Sequence, residues 1–525
     1  MLEKRLRLAA LLAALIPGAW YAWEWRSMPH ASEYHDDGIY FVTAKSLAEK
    51  GTYSIESLPG SPAQTKYPPL WPAILSLAWK VTPQYPQNLS VAMFLCWIWL
   101  PLSLIGYMYW LRQAEWGKNG QLLLGLLWVL NPYVVLFGTC MLSELPFTGL
   151  LLFTLLRLPK EKLHWAVVAG VLAGCAFLTR TAGIGLLPAA LLYFALGRRW
   201  KQAAAFTAGM LPFVIGWGLW VVKNRATGTD AVTLYYTNYF GYYLSIIEWK
   251  EIQLYLWKNL DGMIHGLGAL LLPDTTHSFF DKVLAEVLGI AGIIGIVRLV
   301  RENRNSIYVP YAAFGAVNVL MLIIWHFPAN ERLMIPLAPL WLAGLYSEAK
   351  RLFENISKVF QKPEISQKIA GGVLCALMAL VFLNCAIRQI DLLSTGLPRF
   401  YQEHAERLAN SEPAAAWIRE NLPADARFLS ENDPLLYLRT GRRGAGLMLT
   451  TVHWYREDHD ARTADHMEAP VYARRHGLHY FVLNDWDYAR DMPAEEQVKI
   501  LRGLRADPRL ERLYTAGPTT VYRVR

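Results

Sequence analysis

Long apolar runs broken by short polar stretches fill the first three quarters of the chain. A helix needs roughly 17–25 predominantly apolar residues to cross about 30 Å of hydrocarbon. Eleven runs approach that pattern, near 8–25, 91–111, 120–138, 144–158, 163–179, 182–197, 203–222, 284–299, 307–326, 332–347 and 368–388. Several are short, the one at 144–158 among them. The first follows basic Lys4, Arg5 and Arg7 and lacks an A-x-A-like cleavage site, so it reads as an uncleaved anchor. Two polar stretches are too long to be turns, 26–90 and 223–283. In the first, Tyr40, Ala44, Leu47 and Ala48 fall at helical spacing, and Pro68-Pro69-Leu70-Trp71 leads into an apolar stretch ending at Trp79. Both predict helices lying on the membrane surface. The second is rich in tyrosine (Tyr235, Tyr236, Tyr239, Tyr242, Tyr243), which predicts an interface belt in preference to a stacking surface.

After about residue 391 the pattern changes. Residues 412–421 predict an amphipathic helix stopped by Pro423, and apolar runs at 427–430, 480–483 and 520–524 predict short strands. The fold class that follows is a polytopic α-helical membrane protein of about 11 transmembrane helices, with a small C-terminal soluble α/β domain. Residues 1–390 form the first part and 391–525 the second.

Composition agrees with this division. Of the 525 residues, 54% are hydrophobic and only 18% charged, against roughly 45–50% and about 25% in soluble domains. Disorder, a collagenous fibre and an ordinary cytosolic enzyme are excluded. Twenty-one Trp and 27 Tyr suit the headgroup level of a bilayer. The net charge of +9 does not make a nucleic-acid face, because acidic and basic residues nearly balance in the tail. The excess lies in clusters between apolar runs: Arg112 and Lys118; Arg157, Lys160 and Lys162; Arg198, Arg199 and Lys201; Arg298, Arg301 and Arg304; and Lys350, Arg351, Lys358, Lys362 and Lys368. With eleven spans these all fall on one side, and the opposite turns hold little beyond Arg180 and Arg332. The positive-inside bias then puts the N-terminus in the cytoplasm and the C-terminal domain outside. The five cysteines form no C-x-x-C pair and point to neither a disulfide framework nor a zinc knuckle.

On this topology the ionisable groups of the outer side gather at one face. His35-Asp36-Asp37-Gly38-Ile39-Tyr40 opens the first surface helix, and Lys66-Tyr67-Pro68-Pro69 lies further along the same loop. Ser143-Glu144-x-Pro146 opens the fourth span, Thr179-Arg180-Thr181 ends the fifth, and His326 to Arg332 joins the ninth and tenth. Each has an ordinary explanation. Asp36 and Asp37 suit a helix cap and first turn, Ser143-Glu144-x-Pro146 suits a helix start, and Arg180 and Arg332 suit snorkelling span ends. Lys66 suits solvent and His326 a structural role. Their co-location, acids with cations at a half-buried wet surface, suits a catalytic or ligand pocket.

The order Asp36-Asp37-x-x-Tyr40, Gly51-Thr52-Tyr53, then Lys66-Tyr67-Pro68-Pro69-Leu70-Trp71-Pro72 resembles the first outer loop of GT-C glycosyltransferases, in the branch of protein O-mannosyltransferases and lipid A aminoarabinose transferases. Ser143-Glu144-x-Pro146, Leu178-Thr179-Arg180 and Arg332-Leu-Met-Ile-Pro336 are similar to later stretches of that branch, and the tail is similar to its periplasmic domain. Ile39 and Lys66-Tyr67 depart from the aminoarabinose pattern, which leaves the donor sugar and the acceptor open. The resemblance implies an inverting glycosyltransferase of a bacterial inner membrane. It would move a sugar from a polyprenyl-phosphate-linked donor to an acceptor hydroxyl on a glycan, lipid or protein outside. It implies Asp36 as base with Asp37 second, Glu144 orienting the acceptor or base, and Arg180, Arg332 and Lys66 on the donor phosphate. Tyr40, Tyr67 and His326 would line the substrate. No cofactor is required, and a divalent cation (Mg, Mn or Zn) is left open. The alternatives are a lipid-linked oligosaccharide ligase or polymerase and, from another class, a transporter or scaffold. A transporter would want ionisable groups near the midplane, where this chain has few.

Overall fold

The computed structural model describes residues 2–226, 231–274, 278–303, 306–360, 365–447, 450–489 and 492–525; Arg304 and Lys362, counted above among the inner charges, lie outside them. Five helices among these are long and apolar enough to span a bilayer: Glu3–Glu24, Leu89–Gln113, Trp200–Asn224, Phe279–Glu302 and the helical run Lys368–Asn421. Glu144–Leu155, Leu163–Thr179, Thr181–Leu196 and Tyr308–Leu322 coincide with four more expected runs but are shorter. The remaining two are broken. Asn131 caps Pro132–Phe137 by accepting the amides of Tyr133 and Val134 at 3.0 and 3.3 Å, which ends Lys118–Val129 where one continuous span was expected. The run after Arg332 passes through a tight 3-10 turn at Ile335–Leu337, around Pro336, before Ala338–Phe360.

The membrane part packs around fully buried Trp110, Trp128, Trp341, Tyr107 and Tyr311. Leu163–Thr179 lies directly on Trp200–Asn224, where a Cβ at Gly170 would stand 2.1 Å from the Phe206 carbonyl. Close approach of this kind, with small residues at the seam, holds helices together where lipid offers no hydrophobic drive.

The helix Asp36–Lys50 departs from the surface position expected for it. It is buried along most of its length, from Asp37 to Ser46, and packs on Leu70–Val81. Its apolar residues do not form one stripe, because one side meets the spans and another meets the C-terminal domain.

That domain contains a five-stranded sheet: β1 (Arg427–Leu429), β2 (Arg443–Ala445), β3 (Tyr480–Asn484), β4 (Leu510–Ala516) and β5 (Thr519–Val524). The order is β2-β1-β3-β5-β4, with β2, β1 and β3 parallel and β4-β5 an antiparallel hairpin. The helix expected over 412–421 is only the end of Leu397–Asn421, joined through a π-turn at Leu392–Gly396 to Ile365–Asp391. This run crosses residue 391 without a break. Leu380 and Phe382 are exposed along its first half, Tyr401 packs in the membrane core, and Ala414 and Ile418 pack on the sheet.

Candidate active site

The site forms where helix ends meet. His35 precedes Asp36–Lys50 with φ 59°, and Met28 and Ser32 are also left-handed, at φ 45° and 71°. This tight turn folds back over the helix start, and the two acids part company there. Asp37 is fully buried and accepts the amide N–H of Ser32 at 2.7 Å and of Tyr34 at 3.1 Å. It is the helix-start acid of the ordinary explanation. Burial pushes its carboxyl up to about 6, against the pull of the Ser32 amide and the Arg332 charge. Asp36, about 100° around the helix, keeps a quarter of its side chain exposed and faces a cluster of polar side chains.

Arg332, from the short helix Glu331–Met334, ties that cluster together. Its Nη2 donates to Asp36 Oδ2 at 2.8 Å and its Nε to Glu144 Oε1 at 2.6 Å. Arg180, at the end of Leu163–Thr179, donates from Nη1 to the same Glu144 oxygen at 2.6 Å and to Ser143 Oγ at 3.2 Å. Glu144 opens Glu144–Leu155 and has no exposed surface. A buried carboxylate costs several kcal/mol unless it is paired, and here two guanidinium groups share it. Its second oxygen has no hydrogen-bond partner among the described residues. Burial works to raise the Asp36 pKa, but Arg332, Lys66 and the Tyr67 hydroxyl outweigh it and hold the carboxyl well below the ordinary range.

The tyrosines close the other side. Tyr67 donates its hydroxyl to Asp36 Oδ1. Tyr40 stands edge-on to Tyr67 with centroids 4.9 Å apart, and its hydroxyl lies 3.3 Å from Ser143 Oγ. Gln64 sets the preceding turn by accepting the amides of Lys66 and Tyr67 at 2.9 and 3.1 Å. The Lys66 ammonium sits 3.4 Å from the ring centroid of Tyr235, 4.9 Å from those of Tyr67 and Tyr239, and 5.7 Å from that of Tyr236. Ring faces attract a desolvated cation by about 2 kcal/mol. Burial nonetheless lowers the Lys66 pKa to about 7, with Asp36 opposing that shift and Arg332 adding to it.

All the expected residues except two therefore converge on Asp36. Asp37 braces the turn behind it. His326 lies one ring further out, among Tyr239, Trp325 and Phe327, with its Nδ1 3.0 Å from the Tyr239 hydroxyl; burial pushes its pKa down to about 3. The interface belt expected for the long loop is corrected at Tyr235, Tyr236 and Tyr239, whose rings surround Lys66 instead. Two pairings across the chain have no counterpart in the sequence analysis. His35 Nε2 stands 2.8 Å from Asp433 Oδ1, and Ser32 Oγ stands 2.7 Å from Asn432 Oδ1. Neither partner has a local sequence signal beyond Asn-Asp-Pro at a helix start.

Among the described residues no three His, Cys, Asp or Glu side chains converge as a metal site. The donor set explains why: Asp36 and Glu144 face arginines, and Asp37 is taken up by backbone amides. Hard divalent cations want several free oxygens, and among the described residues these three acids leave one without a hydrogen-bond partner, Glu144 Oε2.

No family model and no curated protein matches the chain. Solved structures do. ArnT from Cupriavidus metallidurans, bound to undecaprenyl phosphate, is similar at 12% identity and TM-score 0.52, over 93% of each chain. The Archaeoglobus fulgidus oligosaccharyltransferase tethered with an acceptor peptide is similar at 13% identity and TM-score 0.55, over 99% of this chain and 74% of that one. The same organism's AglB, in complex with an inhibitory peptide and a dolichol-phosphate, is similar at 12% identity and TM-score 0.52, over 92% and 70%. The chain shares the fold of these solved structures over nearly its whole length, which agrees with the resemblance to GT-C glycosyltransferases read from its sequence.

Proposed function

We propose that the protein is an inverting glycosyltransferase that moves a sugar from a polyprenyl-phosphate-linked donor to an acceptor hydroxyl. In this reading residues 1–390 are the membrane-embedded catalytic part of a bacterial inner-membrane enzyme. The N-terminus is cytoplasmic, and the domain after 391 lies on the extracytoplasmic side. The observation that carries the proposal is the bridge Asp36–Arg332–Glu144, in which one guanidinium joins a partly exposed carboxylate to a buried one. The solved relatives bound to undecaprenyl phosphate and dolichol-phosphate support the donor class.

The chemistry follows from the placements. The acceptor oxygen attacks the anomeric carbon as its proton passes to Asp36; the bond from that carbon to the phosphate oxygen breaks, and the polyprenyl phosphate leaves with the electron pair. Arg332, Arg180 and Lys66 meet the charge that develops on the phosphate, and arginine offers it two parallel donors. Donor binding also tunes the base. With Arg332 and Lys66 unoccupied, Asp36 is too acidic to take a proton readily. A phosphate on those cations offsets their field and lifts Asp36 toward a useful basicity. Glu144 holds both arginines in place.

The test uses purified full-length protein, labelled polyprenyl-phosphate sugars and Asp36→Asn. Loss of donor turnover of about 10²–10⁴-fold is expected for a positioned base. An Asp36→Asn protein that turns over donor at the unsubstituted rate sinks the assignment.

A further inference from the structure

The turn that presents Asp36 is held from the far end of the chain. Ser32 and His35 are left-handed, a conformation that non-glycine residues keep only where their surroundings impose it. The contacts that impose it come from Asn432 and Asp433, at the start of the helix Asp433–Thr440 in the C-terminal domain. Ser32 Oγ donates to Asn432 Oδ1 at 2.7 Å, and Asn432 Nδ2 donates back to the Ser32 carbonyl at 3.0 Å. The same Asn432 oxygen accepts the Leu435 amide at 3.2 Å, so one side chain caps its own helix and grips the turn. Ser32 in turn gives its amide to Asp37. A second grip lies beside it. His35 Nε2 is 2.8 Å from Asp433 Oδ1 and 3.1 Å from the Tyr236 hydroxyl, and His35 adjoins Asp36 in the chain.

We propose that Asn432 and Asp433 are positioning residues for Asp36, so that the C-terminal domain is part of the transfer machinery and not a cover over it. This rests on Asp36 being the base. Neither residue touches Asp36. They fix the turn whose amides clamp Asp37 and whose last residue adjoins the base, and so set the line from Asp36 to the acceptor. A misplacement of 1 Å in such a group costs about 10²-fold in rate.

The test compares Asn432→Ala, Ser32→Ala, the double variant and Asn432→Asp in full-length protein, following kcat and the donor KM separately. Asn432→Ala also removes a helix cap and lowers stability on that account. Ser32→Ala leaves the cap intact, so its loss reads positioning alone. The expected result is a fall in kcat of about 10–100-fold in both single variants, with donor KM little changed. The double variant is expected to be no slower than Asn432→Ala, because both changes break one link. Asn432→Asp keeps the oxygen that Ser32 Oγ and the Leu435 amide use, and should recover part of the rate. Unchanged kcat in Ser32→Ala, a loss confined to KM, or losses that multiply in the double variant would each overturn the proposal. Asp36→Asn is measured alongside. If it is inactive while Ser32→Ala is normal, only the positioning role falls; if it is active, the base assignment falls and takes this proposal with it.

Discussion

Arg332 and Asp36 lie 296 residues apart in the chain and 2.8 Å apart in space. The guanidinium also reaches Glu144, and the three side chains form one unit in which each charge makes the others affordable. Glu144 has no contact with solvent, Arg332 keeps 16% of its side chain exposed and Asp36 keeps 25%. The gradient runs from a buried anchor to an open carboxylate, as expected of a site that must meet a substrate on one side only.

Removing the anchor should therefore unsettle both arginines. In Glu144→Ala two guanidinium groups lose a buried partner, and breaking such a pair costs roughly 3–5 kcal/mol. A clear fall in the melting temperature of the detergent-solubilised protein is expected, together with loss of donor turnover. Wild-type melting in Glu144→Ala would show that solvent replaces the carboxylate freely and that the site is wetter than the burial of Glu144 implies.

Asp36 and Asp37 should separate by assay. Asp37 serves the backbone of the turn through Ser32 and Tyr34. Asp37→Asn keeps one acceptor oxygen but presents an amide to the other N–H, an exchange that costs about 1–3 kcal/mol for the unsatisfied donor. Thermal denaturation is expected to report that loss, with residual turnover well above that of Asp36→Asn. The reverse ranking of the two variants in turnover would exchange their roles.

Lys66 carries a pH dependence. Its pKa is lowered to about 7, first by burial, and only the protonated form binds a phosphate. In the free protein kcat/KM should be full below about pH 7 and fall as pH rises through that value. Lys66→Arg stays charged throughout and should flatten this alkaline limb. A limb that survives unchanged in Lys66→Arg belongs to another group.

His35 gives a second titration, one that reads domain docking. Burial lowers its pKa, but the charge and hydrogen bond of Asp433 outweigh burial and raise it, with Asp36 adding to the rise, Lys66 opposing it, and the Tyr236 hydroxyl facing the same nitrogen. A group whose folded pKa is raised contributes stability that is present below its unfolded pKa, about 6.5. That stability is lost as pH rises through the folded pKa. The gap in melting temperature between the native protein and His35→Gln should be widest below about pH 6.5 and narrow as pH rises above it. A gap independent of pH would mean that His35 binds Asp433 as a neutral imidazole.

How much of this was legible in the sequence depends on where each signal lay. Glu144, Arg180 and Arg332 could be found because each lies at the end of an apolar run, Asp36 and Lys66 because they stand in the loop between the first two runs, and alternation of the runs puts them all on one face. What those charges face was not legible. Tyr235, Tyr236 and Tyr239 look the same in sequence whether they meet lipid or a lysine. The helix Asp36–Lys50 was expected on the membrane surface because its spacing is helical, but burial on several sides depends on partners hundreds of residues away. Strand β2 is three residues long and carries no alternation, and β4 has an irregular register between Arg512 and Tyr514 that breaks its period. The break at Asn131-Pro132 was visible as residues but not as a helix end. An apolar window tolerates one proline, whereas the structure spends Asn131 as a cap.

Gly38 puts the joint between the two parts of the chain under the sharpest test. It lies on the first turn of Asp36–Lys50, facing the C-terminal domain, where a Cβ would stand 2.0 Å from Ser32 Oγ and 2.8 Å from the Pro434 Cβ. The backbone there is ordinary helix, so alanine would raise intrinsic helix propensity by about 1 kcal/mol if space were free. Space is not free. Ser32 could swing away only by releasing Asn432, and Pro434 is a rigid ring at a helix start. Gly38→Ala should therefore lose turnover with the Asp36 carboxyl untouched, and the C-terminal domain should become easier to cleave by protease near 430–435. The larger Gly38→Val should do both more strongly. Gly38→Ala with normal turnover and normal protease resistance would show that the joint yields to a methyl group, and that the close approach of Ser32 and Pro434 is incidental to how Asp36 is held.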